Sequence, residues 1–213
     1  MKTAIYRMLA LLALAGGMEL GATAARAHPH VWITASSELI YAADGSITGV
    51  RHAWTFDDMF STYALQGIET KTKGVYSREE LAPLAKDNVE NLKEFGFFTF
   101  AKADGKKEKF QEPVDYFLEY KDSALTLHFT LPLKNPIRPK QLALDVFDPA
   151  FFIDFKLEEK DPIKLVGAPA ACQLKVQRPG EADVKKLTEE MVASGDQSNY
   201  GAMYANKIFV NCP

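Results

Sequence analysis

An Asp-Gly pair near the start of the chain is the feature that most restricts its fold. Asp44-Gly45 separates two stretches, 31–41 and 46–56, that are rich in Ile, Val, Thr and aromatic residues. Such stretches favour β-strands, and Asp-Gly between two of them predicts a two-residue hairpin turn. The chain is therefore expected to contain an antiparallel hairpin built from these two strands.

The turn also fixes which residues of the two strands lie opposite each other, unless a β-bulge shifts the pairing. Counting outward from the turn places Ile33 opposite Phe56 and Trp32 opposite Asp57. His30 lies on the same strand face as Trp32, because side chains alternate between the two faces. We therefore expect the carboxylate of Asp57 to lie beside His30.

The two internal histidines are expected elsewhere. His52 lies opposite Ser37, seven residues along the strand from His30, or about 23 Å at the usual rise per residue. It shares the other face with Trp54, where a histidine is usually a hydrogen-bonded core or rim residue. His128 lies in the middle of a later strand, on a threonine-lined face that leaves it open as a distant ligand.

The remaining pattern predicts a single α+β domain. A capping box at Ser77 and Glu80 begins a helix, and Pro83 inside that pattern is expected to kink or delay its first turn. Other predicted helices cover 59–66 and 181–193, and other predicted strands cover 97–102, 107–111, 114–121, 123–133, 141–147, 172–177 and 207–212. Consecutive hairpins with few helices favour a mostly antiparallel fold over residues 28–213.

Residues 1–27 have the composition of a cleaved secretory signal. Two basic residues precede an apolar run, and small residues continue to Ala27, which ends a small-x-small triplet. The near-uncharged stretch ends at Glu19 and is too short to span a bilayer. We expect cleavage after Ala27, or alternatively after Ala24, and a periplasmic mature protein without a transmembrane segment.

The charge balance and the cysteine pair narrow the function classes. The mature chain has 22 basic and 27 acidic residues, a net charge of −5, because the leader carries Lys2, Arg7, Glu19 and Arg26. This balance argues against nucleic-acid binding and against a polybasic membrane patch. Cys172 and Cys212 are expected to form a disulfide in an exported chain. Closing that loop is worth about 4 kcal/mol by chain entropy.

Cleavage after Ala27 would leave His28 as the first residue, with an α-amine and an imidazole on one carbon. His30 adds a second imidazole, and such nitrogen-rich sets suit Cu(II), Ni(II) and Zn(II). Pro29 has no N–H, so a square site built on deprotonated backbone amides is excluded. Asp57 is a candidate fourth ligand or an acceptor for an imidazole N–H. The alternative interpretation is a polar chain start without a ligand.

Other polar motif positions have structural interpretations. Asp57 or Asp58 is expected to cap the helix that follows. Asp148 precedes Pro149 and is expected to begin a turn. The nearby aromatic residues Phe147, Phe151, Phe152 and Phe155 are expected to be core residues rather than a ligand box.

Three motifs together resemble one bacterial family. They are the segment 28–33 (HPHVWI), the segment 51–61 (RHAWTFDDMFS) and the segment 147–155 (FDPAFFIDF). The sequence is similar to uncharacterised exported proteins described as the periplasmic component of an ABC-type transport system, often encoded beside nickel/cobalt-type permeases. The resemblance implies metal handling with an inner-membrane permease, and its motif polar residues are His28, His30, Asp57, Asp148 and Asp154.

Three functions are compatible with these sequence features. The first is a periplasmic metal-binding or metal-delivery component of a transporter for nickel, cobalt, zinc or copper, without catalysis. The second is a non-metal accessory or interaction module of an ABC-type transporter, and a remote third is a copper oxidoreductase using the N-terminal histidine. The mature chain of 186 residues is small for a two-lobed receptor. It also lacks the GxSxG, HExxH, Walker and dinucleotide motifs, which argues against a hydrolase or nucleotide enzyme.

Overall fold

The computed structural model describes residues 29–194 and 199–213, which form two β-sheets and three α-helices. The α+β class predicted from the sequence is confirmed. The predicted leader, its cleavage site and His28 lie outside these residues. Among the described helices, none has the length and apolar character needed to cross a membrane.

The first sheet has six strands in the order β5-β6-β2-β1-β8, and β9 also pairs with β1. Numbered along the chain, they are β1 (Val31–Tyr41), β2 (Ile47–Phe56), β5 (Val114–Lys121), β6 (Ala124–Ile137), β8 (Ile153–Leu157) and β9 (Ile163–Val166). The predicted hairpin forms β1 and β2. Its register is confirmed beyond Ile40, with Ile33 opposite Phe56 and Ser37 opposite His52. The predicted two-residue loop is wrong, because the Ala42 N–H donates to the Ser46 carbonyl and leaves three residues in the loop, and a bulge between Ile40 and Tyr41 offsets the extra residue.

The second sheet has five strands in the order β10-β11-β7-β3-β4. They are β3 (Thr99–Ala103), β4 (Lys106–Lys107), β7 (Gln141–Val146), β10 (Gln173–Gln177) and β11 (Asn206–Asn211). The predicted disulfide between Cys172 and Cys212 is present, with an S–S distance of 2.09 Å, and it joins the residue before β10 to the residue after β11. The final strand is thereby tied to its neighbour.

Three helices connect the strands: α1 (Asp58–Ala64), α2 (Arg78–Leu92) and α3 (Glu181–Ser194). The capping box of α2 is confirmed, because the Ser77 hydroxyl accepts from the Glu80 N–H and the Glu80 carboxylate accepts from the Ser77 N–H. The helix begins at Arg78 and runs through Pro83, so the expectation that Pro83 delays the first turn is wrong. The cap supplies an acceptor for an N–H group of the first turn that has no partner within the helix, and it thereby fixes where α2 begins.

One hydrophobic core takes side chains from both sheets. The strands of the first sheet alternate between buried and less buried positions, as expected for a sheet covered on one face. The largest fully buried side chains include Ile33, Trp54, Phe129, Leu144 and Ile208. The opposite face of β1, which carries His30 and Trp32, is therefore the outer one.

Two short strands of the first sheet were not predicted from the sequence. β8 and β9 both run parallel to β1, with Val31 opposite Ile153 and Ser37 opposite Ile163. They pair with the edge of β1 that does not pair with β2. The result is a mostly antiparallel sheet with a parallel edge, and this edge lies beside the start of β1.

Candidate functional site

His30 directly precedes β1, and it is held by the turn that precedes β8. The His30 N–H donates to the Phe152 carbonyl oxygen at 2.9 Å, and the two aromatic rings lie 4.8 Å apart between centroids. His30 is exposed, and the Phe152 side chain is 47% exposed. The imidazole therefore packs against an aromatic ring at the surface, which restricts where it can point.

The turn that presents Phe152 is organised by a buried carboxylate. Asp148 is only 5% exposed, and its two oxygens accept from the backbone N–H groups of Ala150 at 2.9 Å, Phe152 at 2.9 Å and Ile153 at 3.0 Å. Hydrogen bonds to an ionised acceptor are stronger than neutral ones. The predicted turn role of Asp148 agrees with these contacts. Through the Phe152 N–H, the carboxylate fixes the turn whose carbonyl binds His30, the second histidine of the segment 28–30 (HPH) that is called the tip below.

Asp57 joins the other side of β1 to helix α1. Its Oδ2 accepts from the Trp32 N–H at 3.0 Å, where a strand partner would normally offer a carbonyl, and its Oδ1 accepts from the Phe60 N–H at 2.8 Å. The predicted helix cap is thus Asp57, and Asp58 is the exposed first helical residue. Asp57 lies opposite Trp32 as expected, since its N–H donates to the Trp32 carbonyl at 3.0 Å.

Asp154 lies on the opposite flank of Trp32, within β8. The parallel register places the two residues directly side by side. The Asp154 side chain is 16% exposed, and the ammonium of Lys156 lies 3.7 Å from its carboxylate. Burial raises the pKa of Asp154 above its ordinary value, and the nearby Lys156 only partly opposes that rise. This carboxylate is largely shielded from water, and among residues 29–194 and 199–213 its nearest charged partner is the Lys156 ammonium.

His52 is a core residue, as predicted. It is 1% exposed, its Nδ1 lies 2.8 Å from the Ser37 hydroxyl, and its Nε2 lies 3.2 Å from the Thr99 hydroxyl. The Thr99 hydroxyl donates its only proton to the Phe97 carbonyl at 2.8 Å. His52 must therefore donate from Nε2 and accept at Nδ1. Burial lowers the pKa of His52 to about 3.

His128 lies in the wall of an outer groove, far from the tip. It pairs across the sheet with Ala53, which pairs with Ser36, six residues and about 20 Å along β1 from His30. Its ring stacks on Phe117 with centroids 4.5 Å apart. The groove has a volume of about 590 Å³ and carries charges of both signs. Burial lowers the pKa of His128.

The structure thus brings three of the predicted site residues to one end of the first sheet. His30, Asp57 and Asp154 lie around Trp32, whereas His52 and His128 do not join them. Within 29–194 and 199–213, no group of three or more His, Cys, Asp or Glu side chains is placed to hold a metal ion. The nitrogen donors of His28 fall outside that range, so the predicted ligand set remains a prediction.

The neighbourhood of Asp154 is the part of the site that the sequence interpretation missed. The sequence predicts a turn and core aromatics over 147–155, whereas Phe152 is exposed and β8 begins at Ile153. A signal was present, because apolar and polar residues alternate strictly over Ile153–Leu157. Its pairing with β1 had no local signal.

Comparisons with known proteins found a family, a distant relative and a weakly similar solved structure. An "Uncharacterized 15.5 kDa protein in trpE 3'region" from Spirochaeta aurantia is 29% identical over 93 residues, which is 43% of this chain and 66% of that protein. Acetylcholine-binding protein type 1 from Biomphalaria glabrata is a solved structure similar at a TM-score of 0.40 and 9% identity, over 90% of this chain and 89% of that one. The DUF1007 family profile matches residues 11–212. The chain therefore belongs to the DUF1007 family, which is described as proteins of unknown function.

Proposed function

We propose that the protein is a periplasmic metal-binding or metal-delivery component that works with an inner-membrane transporter of the nickel, cobalt, zinc or copper class and performs no catalysis. The observation that carries the proposal is the HPH tip. It combines two imidazoles within three residues, and its second histidine begins the central hairpin. The metal is cargo here, so the site has to bind it reversibly.

The donor set fits such a cargo. Neutral imidazole nitrogens suit Ni(II), Cu(II) and Zn(II), and a free α-amine on His28 would add a third nitrogen. The backbone of His30 is hydrogen-bonded to Phe152 and its ring packs on the Phe152 ring, so the second ligand is partly oriented before a metal arrives. Preorganisation of this kind lowers the entropic cost of binding. The predicted leader directly precedes the tip, and export through it would place the metal site in the periplasm.

Isothermal titration tests this proposal. Metal-free protein, exported and processed in cells and with its N-terminus verified by mass spectrometry, is titrated with Ni²⁺, Co²⁺, Zn²⁺ and Cu²⁺. We expect His30→Ala to weaken binding at least tenfold, because one of few ligands is lost. His128→Ala is the matched control, since it removes one histidine about 20 Å away. Equal affinity of wild type and His30→Ala would refute the assignment.

One observation also favours the second candidate, an interaction module of the transporter. Four exposed apolar side chains belong to segments that meet near the tip, and they are Trp32, Met59, Tyr63 and Phe152, at 39%, 65%, 70% and 47% exposure. Exposed apolar groups that cluster are typical of interaction sites. A photo-crosslinking residue placed at Phe152 in cells should then capture the permease, whereas the same group at exposed Glu159 should not.

A further inference from the structure

The metal site proposed above lacks a firm oxygen ligand, and the inference drawn here rests on that proposed function. Two imidazoles leave a divalent ion with open positions, which carboxylates commonly fill. Two carboxylates flank the same residue of β1, because Trp32 has Asp57 on the β2 side and Asp154 on the β8 side. Each is therefore a diagonal neighbour of His30 on the outer face of the sheet.

The Asp57 carboxylate has a structural role, because it joins β1 to helix α1. Both of its oxygens accept backbone N–H groups, from Trp32 at 3.0 Å and from Phe60 at 2.8 Å. Turning this carboxylate toward a metal would uncap helix α1 and break the contact that joins the helix to β1. The partly buried Phe60 N–H would then lack its acceptor, which is costly. Asp57 is thus better suited to shaping the tip than to binding cargo.

Asp154 differs from Asp57 in the partners of its carboxylate. Its side chain is 16% exposed, and the nearest charged partner among the described residues is the Lys156 ammonium at 3.7 Å, beyond ordinary hydrogen-bonding distance. A carboxylate that has lost water without a close partner is poorly compensated. A divalent ion would compensate it, and would do so without breaking a backbone contact.

The geometry points to Asp154 as the carboxylate ligand that acts together with His30, with Asp57 as a positioning residue for the tip. Diagonal neighbours in a sheet have their Cα atoms about 7–8 Å apart. An imidazole and a carboxylate at that separation can share one ion, since metal–ligand bonds are about 2 Å long. Such a mixed nitrogen and oxygen set suits Zn(II), Ni(II) and Co(II) rather than Cu(I).

The test is titration of the full processed protein with Zn²⁺ and with Ni²⁺, comparing wild type, Asp154→Asn, Asp57→Asn and Asp145→Asn. Asp145 is the matched control, because it is a half-buried carboxylate of raised pKa in β7 of the second sheet. We expect Asp154→Asn to weaken binding at least tenfold with no fall in Tm, and Asp145→Asn to bind within twofold of wild type. Lys156→Gln should tighten binding about threefold, because it removes a nearby like charge.

The outcomes separate this inference from the proposed function. If wild type binds, His30→Ala does not and Asp154→Asn is unchanged, the proposed function stands and the role of Asp154 is overturned. If Asp57→Asn weakens binding at unchanged Tm while Asp154→Asn does not, Asp57 is the ligand and the inference is likewise overturned. Wild type that binds none of Ni²⁺, Co²⁺, Zn²⁺ and Cu²⁺ overturns both, and wild type that binds Cu²⁺ or Co²⁺ but neither Zn²⁺ nor Ni²⁺ overturns the inference alone.

Discussion

Mild acid should destabilise this protein through one buried histidine. His52 is 1% exposed and packs between the rings of Trp54 and Phe129, at 5.3 Å and 5.0 Å between centroids. Its two ring nitrogens face the hydroxyls of Ser37 and Thr99. These neighbours carry no charge, so a protonated imidazole would gain no compensating anion in place of the water it loses.

The size of the effect follows from the pKa values of the two states. Burial lowers the pKa of His52 to about 3 in the folded protein, whereas the unfolded chain has a histidine pKa of about 6.5. Below about pH 6.5, His52 binds a proton in the unfolded state but not in the folded state. The free energy of unfolding therefore falls by about 1.4 kcal/mol for each pH unit. The contribution is fully present above pH 6.5, and about 2 kcal/mol of it is lost by pH 5.

Urea unfolding at pH 7.5 and pH 5.0, followed by tryptophan fluorescence, measures the loss. His52→Gln keeps a polar side chain near the two hydroxyls and no longer titrates. We expect it to be less stable than wild type at pH 7.5, since it loses the ring packing, but to lose about 2 kcal/mol less than wild type between the two pH values. Equal losses in both proteins would refute the reasoning, because other groups would then carry the acid sensitivity.

Two further predictions concern the supports of the tip and of the last strand. Asp148→Ala should lower the free energy of unfolding by about 3 kcal/mol, because three backbone N–H groups lose an ionised acceptor; urea unfolding beside exposed Glu159→Ala checks this, and equal stabilities would contradict it. Replacing Cys172 and Cys212 together with serine should cost about 4 kcal/mol, mainly by freeing the unfolded chain. Reduced wild type should show the same urea midpoint as the double variant, and a midpoint insensitive to reduction would argue against a structural disulfide.

Features that depend on short-range chemistry could be predicted from the residues alone. The Asp44-Gly45 pair marked the position of the turn, because Gly45 takes a φ of 82° that glycine adopts at little cost. The register predicted from a two-residue loop holds beyond Ile40 because a bulge offsets the one extra loop residue. The Ser77–Glu80 box fixed the start of α2, since both caps act within one helical turn. The alternation along β2 placed His52 on the core face, and the two cysteines had only one possible partner each.

The surroundings of the tip, by contrast, depend on contacts between segments that lie far apart along the chain. β8 pairs in parallel with β1 across more than a hundred residues, and parallel pairing requires a long connection that leaves no local signature. That pairing places Phe152 against His30 and Asp154 beside Trp32. The sequence identified both aspartates next to this end of the sheet as polar candidates. The elements that fold around each carboxylate decide its partners. Asp57 accepts two backbone N–H groups, whereas Asp154 is poorly compensated.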